Sequence, residues 1–206
     1  MLKIYLARHG QDQDNANRIL NGRRDEPLTE IGINQANQLA QKIKEADLKF
    51  DAIYSSPLQR ACKTAQVISS VLGLNRLIES DYLIERDFGI MTGQPKDDVE
   101  KLCAQTGILK TDTITYFLSP ENAETFPQLI ERVDKFLNFL KTQHEDGSVL
   151  LVTHGDTGKM IYAAYYQLDW LETLKMFHFG NSELLLLSPD SKPENTHVFN
   201  IEQFNN

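Results

Sequence analysis

Two short apolar runs in this chain each end on a histidine followed by a glycine. Ile4-Tyr5-Leu6-Ala7 leads into Arg8-His9-Gly10, and Val149-Leu150-Leu151-Val152 leads into Thr153-His154-Gly155. Apolar runs of this length, bounded by turn residues, read as buried strands. In an open α/β sheet, chemistry sits in the crevice beyond the carboxyl ends of the strands. If both strands belong to one parallel sheet, two imidazoles meet there with an arginine beside them. That set suits the transfer of a phosphoryl group onto nitrogen. The glycine after each histidine lets the backbone turn sharply and approach a ligand closely.

The rest of the chain alternates between the periods of strand and helix. Residues 2–7, 51–55, 76–79, 148–153, 183–188 and 197–201 read as strands. Residues 30–46 place Ile33, Ala36, Leu39, Ala40 and Ile43 at helical spacing behind Thr29, a good N-cap. Residues 58–72 form an amphipathic helix that stops at Gly73, and residues 125–141 and 157–167 read as two more helices. Strands interleaved with helices predict a three-layer α/β/α sandwich around a mostly parallel central sheet. At 206 residues the chain is expected to be a single domain, 1–206. The polar stretch at about 91–123, with a weak helical patch at 96–105, fits the pattern least and reads as an insertion or lid.

Composition narrows the partners. The formal net charge is −8, which argues against nucleic acid or an anionic membrane as the main partner. A locally basic cleft for a small phosphorylated metabolite remains compatible with it. No run approaches the roughly 18 apolar residues of a membrane span, and the N-terminal apolar stretch is too short for a signal peptide. Cys62 and Cys103, the two cysteines, give neither a disulfide framework nor a zinc spacing, so a cytoplasmic location is expected. Cys62 falls on the apolar face of its helix and reads as inert core.

Several other residues carry chemistry. Asn15 adds an amide donor one loop after His9. In Ser55-Ser56-Pro57-Leu58-Gln59-Arg60, a strand ends, proline starts a helix, and Arg60 lies in its first turn. A helix N-terminus favours an anion, and a guanidinium there adds a two-pronged clamp; the alternative is a solvated helix charge. Glu85, in Leu83-Ile84-Glu85-Arg86, is either a surface carboxylate or a general acid in a cleft beside cations. Gly155-Asp156-Thr157-Gly158-Lys159 imitates a phosphate-binding loop, but Thr153 stands where the first glycine is required and Met160 follows the lysine. His178 and His197 read as structural.

Taken in order, these residues resemble the histidine phosphatase superfamily, which includes the cofactor-dependent phosphoglycerate mutases and related phosphatases. The resemblance runs from Arg8-His9-Gly10 with Asn15, through Asn21-Gly22 and Asp25-Glu26-Pro27-Leu28-Thr29, to Ser55-Ser56-Pro57 with Arg60-Ala61. It continues in Glu85, Phe88-Gly89, Glu124-Thr125, Arg132-Val133, Val152-Thr153-His154-Gly155 and Asn181. It implies a phosphoglycerate mutase-like fold and catalysis by His9, Glu85, His154, Arg8 and Arg60. His9 would be the nucleophile and Glu85 the proton donor. Arg8, Asn15, Gly22, Arg60, His154 and Gly155 would hold the phosphate. No metal and no other cofactor is expected.

Departures from the family pattern shape the finer reading. Gln11-Asp12 brings a negative charge close to the pocket, and Asn122-Ala123-Glu124-Thr125 replaces the usual Gly-Glu-Ser. The double arginine of mutases is absent from 94–123, which holds Lys96, Lys101 and Lys110 against Asp97, Asp98, Glu100, Asp112 and Glu121. A metal-independent phosphatase acting on a small phosphomonoester through a phosphohistidine is therefore expected. The alternatives are a 2,3-bisphosphoglycerate-dependent phosphoglycerate mutase and a non-catalytic phosphate-binding protein on the same fold. Arg23, Arg24, Arg86 and Lys96 are the candidates for substrate specificity. Arg23 and Arg24 are as readily solvated loop charges. The sequence leaves the oligomeric state open, a homodimer included.

Overall fold

The computed structural model describes residues 1–103, 105, 107–199 and 201–203. In chain order its regular elements are β1 (Lys3–Arg8), α1 (Gln13–Ala16), α2 (Glu30–Glu45), β2 (Ala52–Ser55), α3 (Gln59–Leu72) and β3 (Leu77–Glu79). There follow α4 (Val99–Leu102), β4 (Ile108–Lys110), β5 (Thr115–Phe117), α5 (Phe126–Gln143) and β6 (Ser148–Thr153). The last are α6 (Gly155–Tyr166), α7 (Trp170–Met176), β7 (Leu184–Leu187) and β8 (His197–Phe199).

Six strands form the central sheet in the order β3-β2-β6-β1-β7-β8. The first four run parallel, while β7 is antiparallel to β1 and β8 to β7. Because a strand alternates its side chains, β1 feeds two cores. Ile4 and Leu6 pack with α5 and α6 through Phe136, Leu140, Met160 and Ile161. Tyr5 and Ala7 pack on the other face with Leu39 and Ile43 of α2 and Ala65 and Ile68 of α3. Val149 and Leu151 against Leu150 and Val152 divide β6 in the same way. The sandwich read from the sequence is the observed architecture.

Local chemistry sets the helix ends. Thr29 caps α2 by accepting from Gly32 N, and Thr125 with Gln128 forms a reciprocal capping box on α5. Gly73 ends α3 in the left-handed region at φ 66°. Pro57, expected inside the first turn of α3, instead precedes its N-cap, Leu58. Helix α6 begins at Gly155, two residues before the expected 157, so its first-turn amides lie beside His154.

The stretch 91–123 holds more structure than its polarity suggested. It contains α4 and the hairpin β4–β5. Met91, Val99, Cys103 and Phe117 form a small apolar cluster with Leu20 and Phe88. No helix among the described residues is long and apolar enough to cross a membrane.

Candidate active site

Strands β1 and β6 are adjacent and in register, with Arg8 opposite Thr153, so His9 and His154 leave the sheet side by side. Their ring centroids stand 5.0 Å apart. Helix α2, next in the main sandwich after β1, packs on one face of the sheet, and α6, after β6, on the other. The two histidines thus mark a switch in sheet connectivity, where α/β folds bind ligands. Gly10 is required here because a methyl group in its place would overlap the carbonyl oxygen of Gly32.

His9 is buried, and its Nδ1 lies 2.6 Å from the carbonyl oxygen of Gly10. A carbonyl only accepts, so Nδ1 carries the proton and Nε2 keeps its lone pair. Burial, then the charges of Arg60 and Arg8, pushes the imidazole well below its ordinary pKa. His9 is therefore a neutral base near neutral pH. His154 is held neutral by the same causes, burial first and Arg60 next. Its Nδ1 accepts from Arg60 Nε at 3.2 Å, which leaves Nε2 to donate to Ser56 Oγ at 2.8 Å.

Arg60 is fully buried and anchored by its surroundings. Its Nη1 donates to Arg24 O, its Nη2 to Gly22 O, and its Nε lies 3.2 Å from Asp12 Oδ2. Gly22 thus acts through its carbonyl, in a left-handed turn at φ 49°. Asp12 organises the pocket and does not simply burden it with charge. It caps α1 through Asn15 N, accepts from Asn21 Nδ2 and neutralises Arg60. Asn15 in turn accepts from Asn181 Nδ2, which also holds His9 O. Arg8 Nη1 donates to Phe179 O at 2.7 Å, while Arg8 Nε is buried with no acceptor among the described residues.

Glu85 is buried in the same pocket. Its Oε1 accepts from Arg86 N at 2.8 Å, Thr157 N at 3.1 Å and Thr157 Oγ1 at 3.0 Å. Its Oε2 has one long contact, 3.4 Å, from Asp156 N. Burial, then the Asp156 carboxylate, pushes the Glu85 carboxyl group up; the amides and Arg60 oppose them. Oε2 is the oxygen free to carry a proton.

Arg8, Asn15, Glu85 and Gly155 line a cleft of about 450 Å³, walled further by Lys96, Thr113–Phe117, Lys159 and His178. His9, Arg60 and His154 are buried and are not among its lining residues. Lys96 is a specificity candidate brought to the wall; burial, with Arg8 and Arg18, lowers its pKa to about 8. Arg23 and Arg24 do not line this cleft: Arg23 pairs with Asp87 and Glu124, and Arg24 with Asp14 and Glu26. Arg86 reaches the wall with its guanidinium engaged by Asp156, Glu124 O and Phe117 O. Lys159, read in the sequence only as the lysine of an incomplete phosphate-binding loop, lines the cleft with its Nζ donating to Leu174 O, and His178, expected to be structural, is exposed and lines it too. Cys62 is half-buried and contacts Glu79 instead of the core.

The chain is similar in sequence and fold to known proteins. The model of the histidine phosphatase superfamily (branch 1) matches residues 4–202. The chain belongs to this superfamily. It is 31% identical over 193 residues to a 2,3-bisphosphoglycerate-dependent phosphoglycerate mutase of Bartonella tribocorum, covering 91% of this chain and 93% of that one. A phosphoserine phosphatase of Entamoeba histolytica, solved with 3-phosphoglyceric acid, is 26% identical with a TM-score of 0.72 and 90% coverage of both chains. A mycobacterial glucosyl-3-phosphoglycerate phosphatase shares the fold at 22% identity, TM-score 0.75, covering 89% of this chain and 88% of that one. Family and fold together make the protein an enzyme that works on phosphoric monoesters.

Proposed function

We propose that this histidine phosphatase superfamily member is a metal-independent phosphatase that hydrolyses a small phosphomonoester through a phosphohistidine on His9. The observation that carries the reading is the buried, unpartnered Arg8 Nε beside a neutral His9 whose Nδ1 is fixed on Gly10 O. A phosphoryl oxygen supplies the acceptor that this guanidinium lacks. Gly155 N at the start of α6 and the Asn15 amide add neutral donors, and His154 Nε2 can exchange Ser56 Oγ for a phosphoryl oxygen.

In the first step the His9 Nε2 lone pair attacks phosphorus, the bond to the leaving oxygen breaks, and Glu85 gives that oxygen its proton. In the second step the Glu85 carboxylate takes a proton from water. The water oxygen attacks phosphorus, the P–N bond breaks, and inorganic phosphate leaves with His9 restored neutral. The β4–β5 hairpin acts as a lid over this chemistry. Among the described residues no three His, Cys, Asp or Glu side chains converge as a metal cage. EDTA is expected to leave turnover unchanged and vanadate to inhibit. Activity lost to chelation and restored by magnesium or zinc would contradict the proposal.

The mutase reading has two observations behind it, the 31% identity to a 2,3-bisphosphoglycerate-dependent phosphoglycerate mutase and the cleft position of Lys96. A mutase must retain a bisphosphate while it reorients, and the lid opposes this. Three cations face five carboxylates over 94–123, and Lys110 is already paired with Glu100. Supplied with 3-phosphoglycerate and 2,3-bisphosphoglycerate, the enzyme is expected to release free phosphate much faster than it forms 2-phosphoglycerate. Isomer outpacing phosphate would overturn the phosphatase assignment.

A further inference from the structure

We propose that Arg86 is a positioning residue for Glu85: its ion pair with Asp156 clamps the first-turn amides of α6 onto the Glu85 carboxyl group and ties that clamp to the lid. The inference rests on Glu85 being the general acid. Three contacts close a ring around that acid. Arg86 N holds Glu85 Oε1 at 2.8 Å, Arg86 Nε holds Asp156 Oδ2 at 2.8 Å, and Asp156 N approaches Glu85 Oε2 at 3.4 Å. The same guanidinium donates through Nη2 to Phe117 O of β5 and through Nη1 to Glu124 O ahead of α5. One side chain therefore joins the hairpin over the cleft, the loop leading into α5 and the helix end that carries the acid's partners.

Stability alone does not account for a charge here. Arg86 is 1% exposed and sits among the rings of Phe88, Phe117 and Phe126, with its guanidinium carbon 5.0, 4.5 and 4.3 Å from their centroids. An apolar side chain would fill such a cage, and replacing a buried ion pair by apolar residues is often neutral or stabilising. What an apolar residue cannot do is fix Asp156. Without the guanidinium, Asp156 loses its ion pair and keeps only the weaker attraction of Lys159, and the α6 amides lose their tether.

The charged and titratable groups that face Glu85 are Asp156 on α6, Arg60 on α3, Tyr116 on β5, Arg23, whose Nε donates to Glu85 O, and Arg86 itself. Removing the cation of Arg86 unmasks the Asp156 charge and so favours the protonated form of Glu85. Removing the anion of Asp156 favours the ionised form. The two variants therefore move the same titration in opposite directions.

The test is single-turnover leaving-group release by wild type, Arg86→Met, Arg86→Lys and Asp156→Asn, across pH. The probes are phosphoserine, a poor alkyl leaving group, and p-nitrophenyl phosphate, a good one. Arg86→Met is expected to slow phosphoserine cleavage by about 10²-fold, the scale on which small misplacements of reacting groups act. It should change p-nitrophenyl phosphate cleavage little, and Arg86→Lys should restore part of the loss. The alkaline limb for phosphoserine should move up in Arg86→Met and down in Asp156→Asn. Equal losses on both probes with unmoved limbs would reduce Arg86 to a structural residue and end the inference. If Arg86→Met does not fold, the near-isosteric Asp156→Asn decides by its limb alone. A wild-type enzyme that cleaves neither probe, or never carries phosphate on His9, would instead bring down the reading of the site.

Discussion

His9→Ala is expected to abolish turnover, by at least about 10⁴-fold, while the protein stays folded. Losses on that scale follow when a covalent enzyme is deprived of its nucleophile and retains only its binding groups. The structure gives the reason for choosing this histidine over His154. His9 Nδ1–H is committed to Gly10 O, so Nε2 is a free lone pair, whereas both ring nitrogens of His154 are engaged by Arg60 and Ser56. The fold should survive, because His9 makes no contribution to either apolar core and the loop is independently fixed by Gly10 N on Thr64 Oγ1. Mass spectrometry of substrate-quenched enzyme, kept away from acid, should find phosphate on His9. Near wild-type turnover in His9→Ala, with circular dichroism unchanged, would end the mechanism.

The sheet and its long helices were legible because each carries its own period. β6 is read with its observed limits, and α2 to within a residue, because the unbroken apolar run Val149-Leu150-Leu151-Val152 between turn residues and the cap at Thr29 are local signals. The β4–β5 hairpin was not legible. Its strands are three residues long, pair only with each other, and are held by Phe88 and other side chains distant in sequence. Helix α7 escaped for a related reason, seven residues being too few to show a period, although Asp169 caps it. In the candidate site, His9 and His154 stand next to glycines at strand ends and can be found from the sequence. Arg23 and Arg24 shared that proximity to Gly22, yet neighbouring carboxylates draw them away from the cleft. Lys159 and His178 are brought to it only by packing of α6 and the segment before β7. Asp12, read in the sequence only as a charge close to the pocket, caps α1 and pairs with Arg60, and the second contact is purely tertiary.

Glu85→Gln should slow single-turnover cleavage of phosphoserine by about 10²–10⁴-fold, the usual worth of general acid assistance, and leave p-nitrophenyl phosphate much less affected. An alkoxide leaving group needs a proton as its bond to phosphorus breaks; a nitrophenolate does not. Glutamine can still accept from Thr157 N and Arg86 N through its amide oxygen, so the geometry around Oε1 should persist. It cannot deliver a proton. First-turnover measurement matters because Glu85 also activates water in the second step, so the variant should accumulate phosphohistidine and show a burst of nitrophenol. The pH profile follows from the two shifted groups. Burial and neighbouring cations push His9 well below its ordinary range, so the acid limb lies below the usual imidazole titration. Burial and Asp156 push Glu85 up, so its proton is present at low pH and the phosphoserine rate falls as pH rises through that raised value. In Glu85→Gln the alkaline limb should vanish while the acid limb stays. Equal losses on the two substrates, or an alkaline limb that persists in the variant, would assign proton donation to another group.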